Sequence, residues 1–273
     1  MNAWIAVFRP FSVAGIVLVL VSGCMSLPTP GTRLDPQELH NAILSDHVDY
    51  VRAAVEARVA SVNERIPAPV YAEGTPLITI AARAASLRVM AYLIAAGADL
   101  NARTPAGETA LMLASYFPSD DGGPSGNGSG SSANGSGPSA NGAHAKAAKM
   151  LVEAGATVEN EPHHYTPLAY AAYQGRDEMI RFLLNSGARV NIDGNSGYTY
   201  VNTPLMMAAM QGHTSTALLL LRAGADARVR VVNGHTAAEL AAKHQGRDMV
   251  SLLKCAESSG SGEIFRRRCE NPR

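Results

Sequence analysis

Apolar positions along the chain fall into short blocks that recur at a nearly fixed interval, separated by Gly- and Asn-bearing breaks. The clearest block runs Thr166-Pro167-Leu168, Ala171-Ala172, Gly175, Ile180, Leu183-Leu184, Gly187-Ala188 and Asn191. A second has Thr203-Pro204-Leu205, Ala208-Ala209, Gly212, Leu219-Leu220 and Gly224-Ala225-Asp226. A third has Thr75-Pro76-Leu77, Leu93-Ile94 and Gly97-Ala98-Asp99-Leu100-Asn101. Each block predicts two short antiparallel helices and a connecting hairpin. Thr caps the first helix, and Pro takes the first helical position, where its missing N–H removes no bond. The paired Ala residues let neighbouring helices approach closely. The mid-block Gly permits the left-handed turn that ends the first helix. The Leu pair fills the core, and the Gly after it opens the hairpin.

These blocks resemble the ankyrin repeat, in which 33 residues supply a turn and two helices. The resemblance implies an all-α ankyrin-repeat solenoid of about six helix-turn-helix repeats with hairpin fingers, covering residues 37–255. Less regular copies complete the six. One is Thr109-Ala110-Leu111, resuming at Ala145 to Val158 with Met150-Leu151 and Gly155-Ala156. Another, Gly234-His235-Thr236-Ala237-Ala238 with Leu252-Leu253, reads as a C-terminal cap made polar by Lys243, Arg247 and Asp248. A degenerate first copy carries Leu39-His40, Ala42, Val51, Val55 and Val62-Asn63, with Val59 where Gly is expected. The family's usual His after Thr-Pro-Leu is replaced by Ile78, Met112, Ala169 and Met206. A Thr–His hydrogen bond between turns is therefore expected to be absent, and local stability lowered.

Thr-to-Thr spacings are 33 from 203 to 236, 34 from 75 to 109 and 37 from 166 to 203, but 57 from 109 to 166. The excess is the segment 119–142, nearly all Gly, Ser, Asn and Pro, which splits the third repeat after Tyr116-Phe117. Such a composition cannot bury enough apolar surface to offset its ordering entropy, so a flexible insert is expected. Closing a loop about 25 residues longer costs only on the order of 1–2 kcal/mol.

Ahead of the repeats, residues 1–23 read as an export signal. Arg9 supplies a weakly positive start, and Phe11 through Val21 form an uncharged apolar run. That run is short of the roughly 20 residues that span a bilayer. It ends in Val21-Ser22-Gly23-Cys24, which resembles the bacterial lipobox and implies lipidation of Cys24. Met25 in place of Asp favours the outer membrane by resemblance to the enteric sorting rule, giving a lipid-anchored, periplasm-facing protein of the cell envelope. Residues 24–36, with Pro28, Pro30 and Pro36, read as a stiff lipidated tether, and 256–273 as a C-terminal tail.

Composition narrows the function. With 23 basic and 23 acidic residues the formal net charge is zero, which lacks the basic face a nucleic-acid binder needs. No catalytic constellation emerges, and a solenoid lacks the deep, water-excluding pocket of an enzyme. No cofactor or small-molecule substrate is expected. Glu161 with His163-His164 is the one grouping reminiscent of a metal site, but adjacent His side chains at a hairpin tip point apart, so no metal is expected. Asp177-Glu178 and Asp120-Asp121 read as solvated charges, and His213 as structural. Cys255 and Cys269, 14 apart, are placed for a disulfide in an oxidising compartment. Such a bond would stabilise the last copy by about 3 kcal/mol.

What remains is a binding surface. The resemblance places partners on the hairpin tips and along the first helices. Leu113 and Tyr116, Tyr170 and Tyr173, and Met207 and Met210 then form a ladder of large apolar groups across three repeats; the alternative is that several pack against adjacent helices. Tyr198 and Tyr200 lie on a hairpin about four residues longer than the period sets, and Tyr71 on another. The expectation is a membrane-tethered scaffold for an unidentified protein partner. A narrower version is an immunity or inhibitor lipoprotein that neutralises a secreted toxin, and an enzyme or metal-binding protein is the least favoured.

Overall fold

The computed structural model describes residues 27–68, 71–117, 142–159, 165–191, 198–199, 201–231, 234–244, 246–260 and 262–270. Paired helices dominate. In chain order they are α1 (Pro36–Leu44) with α2 (Val48–Glu56), α3 (Leu77–Ala84) with α4 (Leu87–Ala95), and α5 (Ala110–Tyr116) with α6 (Ala143–Glu153). Then come α7 (Pro167–Tyr173) with α8 (Asp177–Asn185), α9 (Pro204–Gln211) with α10 (Thr214–Arg222), and α11 (Ala237–His244) with α12 (Arg247–Ser259). The six pairs are the six repeats, and first helices stack on first helices along the whole series. No helix among the described residues is long and apolar enough to cross a membrane.

Short strands form the fingers. β1 (Arg65–Ala68) and β2 (Tyr71–Pro76) make an antiparallel hairpin that pairs Arg65 with Pro76 and Ile66 with Thr75. β3 (Tyr198–Thr199) lies parallel to β4 (Arg230–Val231), so neighbouring fingers bond edge to edge. The core is one continuous stripe built from small and branched residues. Ala81, Ala82, Ala171, Ala172, Ala208 and Ala209 are fully buried between first helices, while Leu93, Leu151, Leu183, Leu220 and Leu253 fill the space under the second helices.

Capping follows the sequence in four repeats and departs from it in one. Thr109, Thr166, Thr203 and Thr236 each accept a bond from the N–H three residues on. Thr75 does not cap. It is held in β2 by pairing with Ile66, α3 starts only after Pro76, and the buried Thr75 hydroxyl finds no partner among the described residues.

The missing His of the Thr-Pro-Leu motif has a substitute. In α5 and α9 the sulfur of Met112 and of Met206 accepts the N–H of Thr109 and Thr203, at 3.5 and 3.4 Å. In α11 the carboxylate of Glu239 accepts the Thr236 N–H at 3.1 Å, a complete capping box. The expected loss of local stability is thus offset in α5, α9 and α11, whereas Ile78 in α3 and Ala169 in α7 supply no such bond.

The first repeat does without glycine at both of its tight turns, and the second at the turn between its helices. Asp46, Arg58 and Ala85 are the non-Gly residues with positive φ among the described residues, at 54°, 56° and 53°. Asp46 and Ala85 fill the place that Gly175 and Gly212 hold later in the chain. Arg58, rather than Val59, stands where Gly97 does: each donates its N–H to the carbonyl three residues back, and the next residue donates to the carbonyl five back.

Two ladders tie each of the first four repeats to the next. On the finger side, the side chains of Asn63, Asn101, Glu159 and Asn191 accept the backbone N–H of Asp99, Thr157, Arg189 and Asp226 in the following repeat. On the helix side, one residue at the start of each of α4, α6, α8 and α10 reaches back to the C-terminus of the preceding first helix. Ser86 donates to Ile43 O at 2.6 Å, His144 Nε2 bonds Arg83 O at 3.0 Å, and His213 Nε2 bonds Tyr173 O at 3.1 Å. The fourth member is Arg176, whose guanidinium donates to the carbonyls of Ala114, Ser115 and Phe117. At Gly175 a Cβ would sit 2.7 Å from the His213 ring, so this ladder also needs glycine there.

The chain does not trail off after residue 255. α12 continues to Ser259, and α13 (Gly262–Phe265) and a π-helical turn (Arg266–Glu270) fold back over α12 and α10. Phe265 is fully buried, Arg222 pairs with Glu270 at 2.8 Å, and a disulfide joins Cys255 to Cys269, with Cα atoms 5.9 Å apart. The sequence reading of 256–273 as a tail therefore misses a folded clasp, because Phe265 stands alone without an apolar period around it. Arg266, Arg267 and Arg268 are exposed.

Candidate protein-binding surface

The first helices of repeats three to five end in an aromatic and thioether row. Tyr116, Tyr173 and Met210 each lie seven residues past the capping Thr of their helix and remain partly exposed. The row four residues past the cap has a different fate. Leu113, Tyr170 and Met207 are buried, Tyr170 to 7% and Met207 to 1% exposure, because that side of each helix faces the next first helix in the stack. The six-residue ladder expected from the sequence thus separates into a packed inner half and an accessible outer half. Tyr198 contributes its backbone to β3, while Tyr200 lies outside the described residues, as do Cys24, the insert from 118 to 141, and Glu161 with His163-His164. Cys255 and Cys269 sit at the far end of the stack, in the clasp.

The aromatic rings form one connected cluster. Tyr116 stacks on Tyr173 with centroids 6.2 Å apart and meets Tyr170 and Phe117 edge-on at 5.8 and 5.0 Å. Tyr165 extends it through an edge contact with Tyr170 at 6.2 Å. The Arg83 guanidinium lies 5.2 Å over the Phe117 ring. Aromatic pairs of this kind stabilise by about 0.5–1.5 kcal/mol each, so the cluster is rigid before any partner arrives. Burial raises the phenol pKa of Tyr116, Tyr165 and Tyr173, keeping these hydroxyls protonated and able to donate. Tyr170 donates to Glu108 at 3.4 Å across the repeat boundary.

Sequence reasoning missed Phe117, Tyr165 and Arg83. Phe117 follows the last residue of α5 and Tyr165 precedes the cap of α7, so neither falls on a helical period. Arg83 is brought to Phe117 by the stacking of α3 on α5. Arg176 beneath the cluster is also absent from any motif: its guanidinium is 4% exposed, and desolvation brings its pKa down to about 10, still charged at neutral pH. Asp177, read as an unpaired solvated charge, accepts a bond from the buried Thr216 hydroxyl of the next repeat. No group of three or more His, Cys, Asp or Glu side chains suited to a metal ion occurs among the described residues.

Comparison with known proteins agrees with this geometry. The family pattern described as ankyrin repeats (3 copies) matches residues 139–194 and 193–261, and that of the single ankyrin repeat matches 74–105. Together these matches take in more than half of the 273 residues. Among curated proteins the chain is similar to ankyrin repeat and SOCS box protein 16 of Mus musculus, 34% identical over 128 residues. That alignment covers 46% of this chain and 24% of the relative, so the chain spans about a quarter of the relative's length. With six helix pairs in register, Thr-capped first helices, finger hairpins and these matches, the chain belongs to the ankyrin-repeat family.

Proposed function

We propose that this ankyrin-repeat scaffold holds a protein partner at a bacterial cell-envelope membrane, bound through the outer aromatic row and tethered by a lipid on Cys24. Ankyrin repeats are protein-interaction scaffolds, and the observation that carries the binding reading is the pre-stacked Tyr116–Tyr173 pair. Its rings are fixed by Tyr170 and Phe117 yet retain accessible surface. Rigid aromatic groups bind at low entropic cost, and Met210 beside them adapts to an irregular partner surface.

Two features support the envelope location. The apolar run to Val21 ends at Ser22-Gly23-Cys24, as a lipobox does. The Cys255–Cys269 disulfide suits an oxidising compartment. A diacylated cysteine contributes about 0.8 kcal/mol per buried CH₂, enough for a stable anchor. The tether is tested by mass spectrometry of the chain purified from membranes. A diacylglyceryl mass on Cys24 and release of Cys24→Ala into the soluble fraction are expected; unmodified Cys24 would contradict it. The aromatic row is tested separately by Tyr116→Ala with Tyr173→Ala in partner recovery.

A further inference from the structure

The segment between the lipidation site and the first helix is short and docked. Pro28 is buried and Leu34 packs on the core. Between them, Thr29 and Thr32 close a turn through the Thr32 N–H to Thr29 O bond at 2.9 Å and the Thr29 N–H to Thr32 Oγ1 bond at 3.1 Å. Leu27, Pro28 and Leu34 line one depression of the first repeat together with Tyr50 and Val59. Tyr50 is itself fixed by donating to Glu38 at 2.9 Å. The proline-bearing stretch is therefore an extension of the folded unit, and it provides no free spacer beyond residue 27.

This has a geometric consequence. Only Met25 and Ser26 separate Cys24 from Leu27, and the three steps of a fully extended chain advance about 3.3–3.6 Å each, so the lipidated cysteine lies within roughly 11 Å of the folded domain. We infer that the N-terminal end of the solenoid rests on the bilayer surface, with Leu27 in the interfacial layer and the stack standing end-on away from the membrane. The inference rests on the lipid-anchor reading above. Leu27 is 56% exposed, one of three large apolar side chains so exposed among the described residues, and it is the one nearest in sequence to the anchor. Of the other two, Ile264, also 56% exposed, lies in the clasp at the far end of the stack. Arg33 and Glu38 flank Leu27 with opposite charges, so adhesion by attraction to anionic headgroups is not what holds this face. The bilayer contact is apolar and insensitive to salt.

The sequence supplies a clean probe. Its one Trp is Trp4, within the signal segment, so the processed chain carries none. Leu27→Trp and Ile264→Trp, each expressed with the full leader and purified in the lipidated form, place single reporters at the two ends. The proteins are reconstituted into phosphatidylethanolamine–phosphatidylglycerol vesicles with or without brominated acyl chains. The expected result is that indole emission of the Leu27→Trp protein shifts to the blue and is quenched in brominated relative to unbrominated vesicles, as an apolar group buried at the headgroup–acyl boundary would be, whether in low or high salt. Emission of the Ile264→Trp protein should match its emission in vesicle-free solution. If mass spectrometry shows the lipid on Cys24 but the Leu27→Trp reporter is neither shifted nor quenched, the docking is wrong while the anchor stands. Quenching of both reporters would show a stack lying along the surface and overturn the end-on geometry. Absence of the lipid mass would remove the anchor reading itself.

Discussion

Replacing Arg176 tests how the repeats are coupled. Its guanidinium sits between repeats three and four and donates to Ala114 O at 3.0 Å, Ser115 O at 3.2 Å and Phe117 O. These are the carbonyls at the end of α5, which have no helical partners of their own. They also carry the negative end of the helix dipole, where a cation is favoured by about 0.3–2 kcal/mol. A hydrogen bond from a charged donor contributes about 1.5–3 kcal/mol net. Against this stand the desolvation of the cation and an Nε that finds no partner among the described residues. Arg176→Ala is thus expected to cost about 3 kcal/mol, because it leaves three carbonyls unpaired at about 1–3 kcal/mol each while removing the desolvation cost of the cation. Arg176→His, which mimics His213 one repeat later, keeps one of the three bonds and should cost about half as much. In urea titration a slope of about 2 kcal/mol/M converts 3 kcal/mol into a midpoint shift of roughly 1.5 M. Hydrogen exchange should locate the loss in α5 through α8, since a solenoid transmits strain chiefly to neighbours. A midpoint unchanged within about 0.2 M, or equal losses for the Ala and His variants, would refute this coupling.

Three further outcomes follow from the same structure. Ala85→Gly should raise stability by about 1 kcal/mol, because Ala85 occupies a left-handed conformation at φ 53°; Asp46→Gly should give no such gain, since Asp46 accepts the N–H groups of Arg88 and Val89 at the start of α4, and a gain in Asp46→Gly or none in Ala85→Gly would contradict this. Reducing the disulfide, or Cys255→Ser with Cys269→Ser, should lower the thermal midpoint by the equivalent of about 3 kcal/mol and open residues 262–270 to proteolysis; unaltered protection would show that Phe265 and the Arg222–Glu270 pair hold the clasp alone. Acidification should destabilise the fold: burial lowers the pKa of His213, opposed by its bond to Tyr173 O and the charge of Asp177. Its contribution is then fully present above the unfolded value of about 6.5 and is lost as pH falls below it. His213→Asn should flatten the stability slope between roughly pH 7 and 5, and a slope identical to the parent would contradict the assignment.

The repeat architecture could be read from the sequence because it is local and recurrent. Thr166-Pro167-Leu168 and Ala171-Ala172 predict a capped helix with a small-residue face, and α7 has both. What could not be read depends on contacts between repeats. Tyr170 and Tyr173 are both aromatic and three residues apart. Only the stacking of α7 between α5 and α9 separates a buried ring from an accessible one. The sulfur caps at Met112 and Met206 were hidden because Met is ordinarily read as core filler. Arg176 belongs to no motif, and its burial follows from the three carbonyls waiting in the previous repeat. Thr75 fits the motif by residue type, yet the β1–β2 hairpin holds its backbone and α3 begins later. Phe265 belongs to no period at all, and its place is set by the disulfide four residues on.

Binding through the aromatic row is tested most directly with the lipid-free chain from Ser26 onward, immobilised and compared with its Tyr116→Ala/Tyr173→Ala variant. The variant loses three ring contacts of about 0.5–1.5 kcal/mol each, so its urea midpoint should fall by roughly 1–2 M while it remains folded without denaturant. The parent is expected to recover a defined protein at reproducible stoichiometry from envelope extracts, and the variant is not. Equal recovery by a folded variant would contradict a partner held on Tyr116 and Tyr173.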